Sequence, residues 1–166
     1  AGAGGHAGTL SPFALIQEIR EWYKGTVLLS GSIANGGAVL AAQAMGADLA
    51  YIGSAFIATN EANADQRYKE MITTSSADDI VYTNLFTGVH GNYLKGSIEA
   101  QGLDPNNLEE SDSSKMNFST GASKPKSWKE IWGSGQGISV VKSILPTEKL
   151  VERINNEYIE AKNNLR

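Results

Sequence analysis

Cysteine is absent from the 166-residue sequence. Disulfides, thiolate metal sites and cysteine nucleophiles are therefore excluded. Histidine is nearly absent, with only His6 and His90 present, too few for a zinc centre built from histidines. No metal site is expected. Basic residues form no run and the formal net charge is −4, so the positive footprint that a nucleic-acid binder needs is missing. No apolar stretch approaches the ~18 residues of a membrane span, and no charged-then-apolar leader is visible. Neither nucleic acid nor membrane is expected as a partner, and the expected location is cytoplasmic.

Glycine, by contrast, is plentiful, and it gathers where the chain begins: "AGAGGHAGTLSPF" places Gly2, Gly4, Gly5 and Gly8 around His6. Such neighbours supply no side chains to bury an imidazole, so His6 is either a surface residue of a bare turn or faces a ligand lying against the backbone. Imidazole changes charge near neutrality, which suits proton abstraction from a carbon acid or hydrogen bonding to an anion. The chain starts with Ala1 inside this loop rather than with Met, and is expected to be part of something longer.

Downstream, the pattern alternates between helix and strand. Ser11-Pro12 is a helix start, Phe13, Ile16, Ile19 and Tyr23 recur at helical spacing, and Gly25 suits the stop. "TVLLS" (26–30) and "LAYI" (49–52) read as buried strands, with a helix over 37–45 between them closed by Gly46. Apolar strands separated by helices predict a parallel α/β sheet covered on both faces. Residues 63–125 change character. They are polar, with helices expected near 64–73 and 93–101 and a short apolar run at 80–83, an excursion over the α/β core. The closing part, 126–166, combines a glycine-rich turn, "WKEIWGSGQGISVV", with an amphipathic helix from about Thr147.

Each strand is followed at once by glycine and serine: Gly31-Ser32 after the first, Gly53-Ser54 after the second. Such turns expose backbone amides to an anion, and the dipole of a following helix adds to the attraction. Short loops of this kind also need glycine whatever they bind. Gln136 either reaches a ligand with its neighbouring amides or caps a helix. His90 reads as a surface residue, and Asp78, Asp79, Glu109, Glu110 and Asp112 as a solvated face. Trp22, Trp128 and Trp132 read as packing residues.

Taken in order, "GAGGHAG", "LSGSIANGGAVLAAQAMGADLAYIGSAFIATNEA" and "WKEIWGSGQG" resemble the later part of the nitronate monooxygenase family, once called 2-nitropropane dioxygenases. Its members are FMN-dependent TIM-barrel enzymes related to flavin-dependent enoyl-ACP reductases. The resemblance implies that residues 1–62 are the last βα units of a (β/α)8 barrel, with the chain forming its C-terminal half. It implies His6 as the active-site histidine near the flavin, and Gly31, Ser32, Gly53 and Ser54 as the holders of the FMN phosphate. Gly4, Gly5 and Gln136 join them as cofactor-binding candidates. Ser32 stands where the family has glycine, which is expected to be tolerable only if its φ stays below zero. Ser54 stands for threonine and keeps the hydroxyl.

The implied reaction is oxidation of an alkyl nitronate or nitroalkane by O2 to a carbonyl compound and nitrite. The implied partners are that substrate, O2 and the N-terminal half of the barrel, with a homo-oligomer left open. Two other functions fit the residues. One is an NAD(P)H-dependent flavin reductase of enoyl thioesters or quinones, and the other a non-catalytic α/β domain that binds a phosphorylated metabolite.

Overall fold

Two parallel strands form the α/β part of the molecule. β2 (Leu28–Ser30) pairs with β3 (Leu49–Tyr51), Leu28 opposite Leu49 and Ser30 opposite Tyr51. They follow the short β1 (Gly5–His6) and α1 (Pro12–Trp22). The structure is a computed structural model that describes residues 2–111 and 130–165. Asp112, Trp128 and the polar stretch around them lie outside the described residues.

α1 begins at Pro12 as the Ser-Pro step predicts, although Ser11 makes no side-chain cap. It ends at Trp22 on an extended Tyr23, two residues ahead of Gly25. An anchor beyond the helix explains the early stop: Arg20 donates to the carbonyls of Gly25 and Gly46, both at 2.7 Å, and to Asp48 Oδ2 at 2.6 Å. Asp48 also accepts the Val27 amide at 2.8 Å, so one ion pair joins α1, the entry to β2 and the entry to β3. Between the strands lies α2 (Gly36–Ala44). Asn35 Oδ1 accepts the Ala38 amide to cap it, and Gly46 at φ +107 ends it, a conformation glycine adopts freely.

The expectation of strands buried on both faces is corrected. Leu29 and Ala50 pack with Ile16 of α1 and Ala42 of α2. The alternate residues face away from those helices, and Leu28, Leu49 and Tyr51 are 55%, 55% and 63% exposed. Side chains alternate across a strand, and the described residues supply a cover for one face alone.

After β3 come α3 (Ser54–Ile57) and α4 (Gln66–Thr74). The excursion is not only helix and loop: β4 (Ile80–Thr83) and β5 (Gly91–Leu94) pair antiparallel, and β1 adds to the far side of β5. Tyr93 and Leu94, expected to open a helix, belong to β5, and α5 covers only Lys95–Glu99. The cross-strand register overrides helical spacing there, with Tyr93 opposite Val81 and Leu94 opposite Ile80. The chain closes with α6 (Thr147–Asn164), which crosses α2. Gly36 allows that crossing, because a methyl on it would fall inside the backbone of Ile154 and Tyr158. Of the tryptophans, Trp132 is buried and stacks on Tyr68, whereas Trp22 is 74% exposed.

A glycine-walled candidate site

The carboxyl ends of β2 and β3 open into a cavity of about 240 Å³. Gly4, Gly5, Gly31, Ser32, Gly53 and Ser54 all line it, together with Gly133, Gly135 and Gly137 from the turn before α6. Among the described residues that line it there is no charged side chain. What these residues offer an anion is amides and hydroxyls.

Three glycine segments meet backbone against backbone. The Gly2 carbonyl accepts amides from both other segments, from Ser32 at 3.2 Å and Gln136 at 2.9 Å. A methyl on Gly137 would sit 2.6 Å from the Ser32 backbone, and one on Gly135 2.7 Å from the Gly2 oxygen. The Gly135 amide donates to Ser54 Oγ at 2.8 Å. Tyr68 reinforces the same turn by donating its hydroxyl to the Gly133 carbonyl while its ring lies on Trp132, centroids 5.0 Å apart. Burial pushes the Tyr68 phenol up to about 12.

The two Gly-Ser turns differ. Ser32 has φ +58, beside Gly31 at φ +112, so the condition set for Ser32 is not met. The chain holds a serine in the left-handed region, strain of the sort that collects at binding sites. Amides near this turn are also partly taken: Ser32's by the Gly2 carbonyl, Gly36's by Glu157 Oε2 at 2.9 Å and Ala38's by Asn35 Oδ1. The turn after β3 is open. Among the described residues no acceptor pairs with the amides of Gly53, Ser54 or Ala55, and space beside Gly53 is free.

Gln136 and His6 do not line the cavity. Gln136 begins a 3₁₀ turn over Gln136–Val140, bonded through its amide to Gly2. His6 is one residue beyond the lining, exposed, and its Nε2 lies 2.8 Å from Thr87 Oγ1. Sequence reasoning passed over Thr87 and Tyr82; His90, read as a surface residue, is exposed. β5 brings all three alongside β1: the Tyr82 hydroxyl donates to the Ala7 carbonyl at 3.0 Å, and the His90 ring stacks on Tyr82 at 4.9 Å. Only the antiparallel pairing of His6 with Gly91 shows this, and such long-range register leaves no local signature. Among the described residues no group of three His, Cys, Asp or Glu stands placed to hold a metal ion, and no helix is long and apolar enough to cross a membrane.

Comparison with known proteins bears on this arrangement. The nitronate monooxygenase from Paraburkholderia phytofirmans is 28% identical over an alignment of 180 positions, covering 99% of this chain and 49% of that protein. Among solved structures, the nitroalkane oxidase of Streptomyces ansochromogenes superposes with a TM-score of 0.72 at 25% identity, covering 99% of this chain and 51% of that one. FabK from Thermotoga maritima superposes with a TM-score of 0.72 at 24% identity, over 99% and 54%, a likeness of fold. The chain thus spans about half the length of the relatives it matches. The family model for nitronate monooxygenase matches residues 1–157, and the chain belongs to the nitronate monooxygenase family.

Proposed function

We propose that this chain is the C-terminal, phosphate-holding part of an FMN-dependent (β/α)8-barrel oxidoreductase that oxidises alkyl nitronates or nitroalkanes with O2 to carbonyl compounds and nitrite. The observation that carries this reading is the glycine-walled cavity at the ends of β2 and β3, lined on one side by Gly53 and Ser54, whose amides have no acceptor among the described residues. Those amides and the Ser54 hydroxyl fit a phosphate. Among the described residues no carboxylate lines the cavity to repel a dianion. The glycine walls let a ligand approach the main chain, which a Cβ at Gly135 or Gly137 would prevent by displacing the neighbouring strand of backbone.

FMN, when bound, supplies the redox chemistry between nitronate and O2. The protein supplies position. The turn after β3 anchors the phosphate end, the Gly31-Ser32 turn lines the same cavity, and His6, just outside the cavity on β1, takes a proton from a neutral nitroalkane or steadies the charge of a nitronate as a hydrogen-bond donor. The exposed row of Leu28, Leu49 and Tyr51 supports the barrel reading, since those residues sit where the inside of a closed barrel would be packed.

The test uses the full-length protein. It is expected to show the visible bands of oxidised flavin and to release nitrite from a nitronate in air. His6→Asn is expected to keep the flavin and to lose most turnover of neutral nitroalkanes. A colourless full-length protein would favour a phosphometabolite-binding domain, and NAD(P)H oxidation without nitrite release would favour the reductase. Normal turnover of neutral nitroalkanes by His6→Asn would remove His6 from the chemistry.

A further inference from the structure

The hydroxyl of Thr87 has three neighbours. Oγ1 lies 2.7 Å from the Val89 carbonyl oxygen, 3.2 Å from the Val89 amide and 2.8 Å from Nε2 of His6. A threonine hydroxyl has one proton to give and two lone pairs to receive with. The Val89 carbonyl can only accept, so the single proton belongs to that short oxygen–oxygen contact. The Val89 amide can only donate, which fills one lone pair. The remaining lone pair faces His6, and the imidazole must therefore be the donor.

We propose that Thr87 is a positioning residue that fixes His6 as the Nε2–H tautomer, leaving Nδ1 as the ring nitrogen able to receive a proton. Thr87 is the one side chain that bonds the His6 ring among the described residues. The titratable groups on the adjoining strands do not compete for it. The Tyr82 hydroxyl is committed to the Ala7 carbonyl, and the His90 ring is stacked on Tyr82. The tight Thr87–Val89 turn before β5 thus decides which face of an exposed ring is basic. The part of this inference that gives Nδ1 a role in proton abstraction rests on the flavin-dependent reading above, whereas the tautomer itself does not.

The experiment is 15N NMR of the full-length protein labelled at histidine, with the His6 signals identified by their loss in His6→Gln. The expected neutral ring carries its proton on Nε2. Thr87→Ser keeps that state, and Thr87→Val shifts the tautomer ratio towards Nδ1–H by about five- to tenfold, the weight of one hydrogen bond. A wild-type ring protonated on Nδ1 overturns the proposal, as does a Thr87→Val ring that keeps the wild-type ratio. If Thr87→Val fails to fold, Thr87→Ala carries the same comparison, with the same shift expected and an unchanged ratio overturning the proposal. The NMR experiment needs neither flavin nor substrate, so its outcome is separate from that of the functional reading. In turnover, Thr87→Val is expected to lower kcat/KM for a neutral nitroalkane about fivefold and to spare the preformed nitronate. Equal loss on both substrates would remove Nδ1 as the proton acceptor.

Discussion

The Gly135 amide donates to Ser54 Oγ at 2.8 Å, tying the turn before α6 to the turn after β3 across 81 residues of chain. One hydroxyl thereby shapes the cavity wall, and among the described residues none accepts its own proton. Ser54→Ala removes both the bond and that proton. The expected cost is about 1 kcal/mol of stability, measured by urea unfolding, together with weaker flavin binding measured by fluorescence titration. Ser54→Thr, which retains the hydroxyl, is expected to behave like the parent.

Gly53 separates folding from binding. It lines the cavity at φ −110, and a Cβ there meets nothing within 4 Å. Gly53→Val should therefore fold with a thermal midpoint close to that of the parent and yet carry little or no flavin, because the added methyls enter the cavity. Full flavin content in the purified variant would show that the ligand lies elsewhere.

Ser32 pays for its position in the left-handed region. A β-branched side chain has a still higher cost there, so Ser32→Val is expected to lose about 2 kcal/mol of stability. Ser32→Gly relieves the strain but returns entropy to the unfolded chain, and its net change should stay within about 1 kcal/mol. Equal urea midpoints for the two variants would contradict a constrained turn.

Asp48 sets part of the acid limb. The Val27 amide and then Arg20 hold its carboxyl below the ordinary value of 3.8. A depressed carboxyl contributes stability that is complete above its unfolded value and is lost as pH falls through the folded one. The parent should thus lose more stability than Asp48→Asn on acidification below 3.8, and the two curves should run parallel at neutral pH. Thermal midpoints taken across that range test the sign.

Local chemistry made some of this legible in advance. Pro12 and Gly46 mark helix ends through φ preferences that belong to single residues, and the β2–α2–β3 alternation follows from short apolar runs between glycines. The Gly-Ser turns were visible for the same reason, and the structure places both beside one cavity. What sequence spacing could not supply was pairing at a distance. Nothing in "TGVHGNYLK" announces that Gly91 lies opposite His6, or that Thr87 reaches its ring. Nor does composition tell that Asn35 and Glu157 occupy two of the first amides of α2, because Glu157 arrives from a helix more than a hundred residues later. Ser32 illustrates a different gap: its unfavourable φ is imposed by the backbone of Gly2 and Gly137 pressed against it, and a residue-by-residue preference points the other way.

The bond from Gly36 to Glu157 has a consequence for biosynthesis. The two residues are 121 positions apart, and ribosomes add about 5–20 residues per second. The beginning of α2 therefore waits on the order of ten seconds for its carboxylate after leaving the peptidyl-transferase centre. Through that interval Gly36 has neither its acceptor nor the helix that crosses it, and the nascent polypeptide must stay unaggregated without them. Codons that slow elongation just ahead of α6 would lengthen the vulnerable period, while a shortened product ending before Thr147 would never leave it.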